Sequence, residues 1–243
     1  MAFNIELLMD IVSLGIILVA IIINLVISVK SYRSYKKNKV INTLIFTLTA
    51  IFIAFAMIFL VAEKLFLSDL LCNEFLGMQI FGSIAVVISG GAIVSIDAFA
   101  FNMVFTKKYK ILTIFSALFV SVYLGFFLFD PTKHVSEGEI SFSWDPLAIG
   151  FPITRLMVLI ISFVLLTIPT LVFFYYSIKI RRKSTTRSTR SLTLGLGVMA
   201  FASAYIIELF GLDPLTTTIM RIFYIVGSIL LYYGLFGIKE KST

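Results

Sequence analysis

A chain of 243 residues that is 60% hydrophobic, with 25 Phe and only 14% charged residues, departs from the composition of a water-soluble domain. Its net charge of +7 is gathered into a few short stretches, so it sets topology and does not call for a nucleic-acid partner. The single cysteine, Cys72, excludes an internal disulfide.

Continuous apolar runs predict seven spanning helices, at about 7–29, 40–62, 76–105, 111–129, 148–178, 191–210 and 215–237. Each reaches or approaches the ~20 residues that cross a ~30 Å hydrocarbon core. The runs do not alternate with period two, which favours helices over barrel strands. The fold class is therefore all-α: residues 1–243 form one domain, a multi-pass bundle of seven transmembrane helices whose main partner is the lipid bilayer.

Segment one is flanked on its amino-terminal side by Glu6 and Asp10 and followed by "KSYRSYKKNK", the reverse of a secretory signal, so it is expected to remain attached. It also carries Asn24. Basic stretches recur after segment three, in "TKKYK", and after segment five, in "KIRRKSTTRSTR". The intervening loops are acidic. By the positive-inside rule the amino terminus lies outside and the carboxyl terminus in the cytoplasm of a cell-membrane protein. The basic cytoplasmic loops lie near anionic headgroups and offer a surface for a separate protein partner.

Segment three holds Gly77, Gly82, Ser83, Gly90, Gly91 and Ser95, small residues that let helix backbones approach closely, so it belongs at the centre of the bundle. Gly227 and Gly234 predict a second close contact on segment seven, and Pro169 invites a kink in segment five. Between segments four and five, "DPTKHVSEGEISFSWDP" alternates Ile140, Phe142 and Trp144 with serines, which suggests a short hairpin lid or an interfacial anchor. His134 stands there without a companion for metal binding or proton relay.

Ionisable residues within spans are costly and each calls for a partner or a wet cavity. Arg155, Glu208 and Arg221 fall at similar depth in the outer leaflet, as a clamp joining helices five, six and seven or as a site for an anionic ligand or lipid headgroup. Asp97 lies in the inner half of segment three, with Asn24 at comparable depth and Asn102 lower. A polar nest of Asp97 with Asn24, Ser95 and Thr47 would satisfy its carboxyl group. Such a nest either locks helices together or serves as a switch that couples the outside to the cytoplasmic face.

Segment seven contains no lysine, so no retinal Schiff base is expected there, and no other cofactor or metal is implied. Convergent catalytic groups are absent from the sequence, which argues against an enzyme. "DAFAFNMVFTKKYK", "RRKSTTRSTRSLTLGLG" and "RIFYIVGSILLYYGLFGIK" together resemble the seven-helix amino-terminal sensor region of prokaryotic histidine kinases and related archaeal membrane proteins. That resemblance implies a receptor-like input module whose output partner is a separate protein. A small transporter or lipid-handling protein, and a structural or assembly subunit of a membrane complex, are the alternatives.

Overall fold

In a computed structural model, the chain is described along residues 5–67, 75–128, 153–210 and 214–238. Within these, the side chains of residues 5–8, 10, 63–64, 66–67, 75–80, 153–159, 208–210 and 214 fall outside the description. The expected hairpin lid, with His134, lies outside the described residues.

Among the described residues seven long helices follow one another: α1 (Ile5–Asn38), α2 (Ile41–Leu67), α3 (Phe75–Val104), α4 (Tyr109–Leu128), α5 (Ile153–Ile180), α6 (Thr185–Phe210) and α7 (Pro214–Tyr232). A short π-helical turn, Tyr233–Gly237, prolongs α7. All seven are long and apolar enough to cross a membrane, which fits a multi-pass bundle in a lipid bilayer. Helices suit that solvent because each backbone N–H and C=O finds its partner within the segment. Hydroxyls follow the same rule: Thr47 donates to Thr43 O at 2.8 Å, Ser95 to Gly91 O at 2.7 Å and Ser121 to Ala117 O at 2.9 Å.

The largest departures from the sequence reading are at the basic ends. Helix α1 runs on through "KSYRSYKKN" to Asn38, and α6 begins at Thr185, ahead of its apolar run. Hydropathy marks where a helix enters lipid, whereas Lys, Arg and Tyr continue it into the headgroup layer with no loss of backbone bonding. Lys39 then ends α1 with φ 54°, a left-handed residue whose N–H donates to Tyr35 O at 2.7 Å, so that α2 starts only two residues later.

Consecutive helices pack side by side, α7 returns to α1, and α3 also touches α5. The helices thus form a ring with α3 drawn inward. Its span is the most enclosed of the seven, 56% buried, against 22% for α4. Small residues make this possible: Gly91 faces the ring of Phe52 on α2, and Gly90 faces Val120 and Leu124 on α4.

The interior is apolar in three clusters. One joins Ile27, Phe46, Phe99, Phe173, Leu194 and Leu231, with the Phe46 and Phe99 rings edge to face at 5.1 Å. A second joins Ile93, Val120, Tyr123 and Leu165, and a third joins Ile17, Met57 and Tyr224. Outside, Ile111, Ile114, Phe115, Leu118, Phe119 and Val122 leave an apolar flank of α4 exposed, as a lipid-facing helix requires.

Helices α6 and α7 meet at their backbones. A Cβ on Gly227 would lie 2.9 Å from Gly197 O, and one on Gly234 would meet Leu194 at 3.0 Å. The heptad spacing of Gly227 and Gly234 therefore marks one close helix crossing.

Candidate functional site

Asp97 is 0% exposed, and an ionisable side chain within a span is costly to bury. Its Oδ2 accepts a hydrogen bond from Ser116 Oγ of α4 at 2.5 Å, while Oδ1 has no hydrogen-bond partner. The nest expected with Asn24, Ser95 and Thr47 does not form, because Ser95 and Thr47 bond their own helices and α1 packs on α2 and α7. The donor instead comes from α4. Asp97 lies seven residues before the end of α3 (104 − 97 = 7), and Ser116 lies seven after the start of α4 (116 − 109 = 7). Equal distances from a tight turn bring the two residues to the same level. That hairpin symmetry was the signal by which sequence reasoning could have found Ser116.

Asn24, 1% exposed, donates through Nδ2 to Ser228 Oγ of α7 at 2.8 Å and to Ala20 O at 2.9 Å. Its Oδ1, like that of Asp97, has no hydrogen-bond partner. Asn102 donates to Asn42 Oδ1, tying α3 to α2 near their common end. The three polar residues expected in the inner half are thus all buried, but each bonds a different neighbouring helix.

Arg221 lies seven residues into α7 (221 − 214 = 7) and is only 4% exposed. Its guanidinium donates through Nη1 to Ser13 Oγ on α1, a contact that the sequence did not suggest. Arg155 stands two residues into α5 and Glu208 two before the end of α6 (155 − 153 = 2; 210 − 208 = 2). The three positions therefore belong to the end of the bundle opposite the basic turns. The side chains of Arg155 and Glu208 are outside the described residues, so the expected clamp is placed by backbone alone.

A further polar contact was not anticipated. Tyr205 of α6 lies with its hydroxyl 2.6 Å from that of Tyr123 on α4 and 3.0 Å from Ser89 Oγ on α3. Ser89 also donates to Val86 O at 2.7 Å. Tyrosines in an apolar run read as core aromatics, and Tyr123 is indeed 0% exposed. Ser116 and Tyr123 are seven residues apart on α4, about 10 Å along the helix axis. The seam between α3 and α4 thus has two polar levels, Asp97–Ser116 and Ser89–Tyr205–Tyr123, separated by apolar Ile93 and Val120.

Tyr205→Phe is expected to keep the ring packing and remove both hydroxyl contacts. At about 0.6–1.7 kcal/mol for each interhelical bond in a membrane, the loss of two should total about 1–3 kcal/mol. Thermal unfolding in detergent measures it, and a change within error would show that these hydroxyls contribute no stability.

No cluster of three or more His, Cys, Asp or Glu able to hold a metal is found among the described residues. Comparison with family models, curated proteins and solved structures gives no match to this chain.

Proposed function

We propose that the chain is a receptor-like membrane module that couples a ligand on one side of the membrane to a separate protein partner on the other. The observation that carries this reading is the pair of buried polar levels along one seam, in contact with three helices. Polar contacts of this kind also hold helices together in lipid, but an intramembrane carboxyl group such as Asp97 is a functional candidate by default.

In this reading the region of Arg155, Glu208 and Arg221 faces the extracellular side or the outer leaflet of the cell membrane and receives an anionic ligand. Arg221 is held between α7 and α1 by Ser13, so a ligand that draws its guanidinium away shifts one helix against the other. Tyr205, on the same helix as Glu208, reaches α3 and α4, and Asp97 and Ser116 continue that seam toward the basic end. The amino terminus is outside and the basic turns are cytoplasmic, in keeping with the positive-inside rule. The resemblance to histidine-kinase sensor regions supports the same assignment. No catalytic step and no cofactor is part of it.

The test uses a panel of carboxylate and phosphate metabolites added to the purified chain in nanodiscs. At least one should raise the unfolding temperature, and Arg221→Gln should abolish that shift while Asp97→Leu retains it. If no compound acts, or if Arg221→Gln leaves the shift intact, the receptor reading fails. Uptake of the active compound into sealed proteoliposomes would assign the chain to transport instead.

A further inference from the structure

Among the described residues at the end of the bundle carrying the α1–α2, α3–α4 and α5–α6 turns, cations gather without exposed acids to offset them. Lys36, Lys37 and Lys39 close α1; Lys107, Lys108 and Lys110 surround the next turn; Arg181, Arg182 and Lys183 form the third. All nine of these side chains are exposed. No ion pair joins any of them to an acid among the described residues, and the only acid described within α3, Asp97, is buried and bonded to Ser116.

Aromatic rings meet several of the cations at this end. The ammonium of Lys36 lies 5.4 Å from the Tyr32 ring, that of Lys39 5.6 Å from Tyr35 and that of Lys179 5.5 Å from Tyr175. Lys30 lies 4.7 Å from the Tyr232 ring centre and also bonds the Tyr232 hydroxyl. Tyrosine beside lipid sits at headgroup level, and cations resting on such rings share that level. The turns themselves are short, with only Lys39 and Val40 between α1 and α2. The charges are therefore strung along the rim of the bundle, in the plane of the headgroups, instead of being presented on arms above it.

We propose that this rim is a binding collar for anionic phospholipids, whose phosphate groups in the adjoining leaflet supply the missing negative charge. Three basic stretches on a common rim contact several headgroups together, and the belt of tyrosines admits their acyl chains alongside. A protein partner with an acidic face is the competing occupant. The rim favours lipid because its charges are spread around one end of the bundle, a distribution that a continuous headgroup layer meets on all sides.

The experiment reconstitutes the full chain in nanodiscs of equimolar phosphatidylglycerol and phosphatidylcholine. After extraction in mild detergent, the retained lipids are counted by native mass spectrometry. Phosphatidylglycerol should be enriched at least about fivefold, and the enrichment should collapse when the salt of the extraction buffer is raised from low to high ionic strength. Combined Arg181→Gln, Arg182→Gln and Lys183→Gln substitution should remove roughly a quarter of the retained anionic lipid, since it removes three of the eleven cations named at this end. Equal retention of the two lipids by the unaltered chain overturns the proposal, as does an enrichment indifferent to salt. The salt series needs no variant, so a substituted chain that fails to insert does not leave the question open. Binding of poly-glutamate in pure phosphatidylcholine discs, with phosphatidylglycerol unable to compete, would also overturn it in favour of an acidic protein.

Discussion

Gly227→Ala is expected to destabilise the bundle by about 1–3 kcal/mol, and Gly227→Val by more, although both residues are apolar. The added Cβ would lie 2.5 Å from Phe201 Cδ2 and 2.9 Å from the carbonyl oxygen of Gly197. Phe201 can turn aside, but the Gly197 carbonyl belongs to the α6 backbone, so relief requires α6 and α7 to part. Separation at that point also loosens Gly234 from Leu194 and Gly197 from Leu231, two leucines of one core cluster. Gly15→Ala and Gly125→Ala are the controls, because nothing lies within 4 Å of a Cβ at either position. Unfolding in mixed micelles measures all of these substitutions. A Gly227→Ala chain as stable as the two controls would mean that the α6–α7 crossing does not depend on backbone proximity.

Ser116→Ala should cost about 1–3 kcal/mol, because it removes the one hydrogen bond recorded for a carboxyl group with no exposure. The more telling result concerns the pair. Replacing both partners by apolar groups of suitable shape can be nearly neutral, since no buried polar atom then stays unsatisfied. Asp97→Leu combined with Ser116→Ala is therefore expected to be more stable than Ser116→Ala alone. A double-mutant cycle measures the coupling, and strict additivity would show that the contact has no energetic weight. If Asp97 serves coupling and not stability, the double variant should fold well and keep the ligand-induced rise in unfolding temperature, yet fail to pass ligand binding on to the protein partner.

Much of the architecture was legible because lipid reduces the problem to hydropathy and small residues. Seven apolar runs and the glycines of α3 and α7 were enough to anticipate a helical bundle with α3 drawn inward. Depth was legible too, since a helix rises ~1.5 Å per residue and the turns are short. Azimuth was not. Asp97 and Asn24 were assigned to a common nest because their depths agree, yet a side chain's direction around its helix decides which neighbour it meets. Ser116 and Ser228 are the partners found, one on α4 and one on α7. The Tyr123–Tyr205 contact was hidden for a different reason: a hydroxyl at the tip of a large ring carries no signature in composition. The last turns of α1 carry only Tyr32 and Tyr35 among charged and polar residues, too little hydropathy to mark them as helix.

The π-helical turn at Tyr233–Gly237 gives α7 an unusual ending. Ile238 N–H bonds Tyr233 O at 3.3 Å, five residues back, and Ile238 O receives Arg190 Nη2 at 2.8 Å. Inserting one residue into a helix turns everything beyond it by about 100°. The end of the bundle thus works as a keyed shaft: the chain leaves α7 at a fixed azimuth, latched to α6 by one arginine. A small rotation of α7 against α6 at the opposite end would reach this latch as a change of angle and not of distance. A π turn tightening into an α turn would then index the exit by one residue's rotation, a discrete step from a continuous motion.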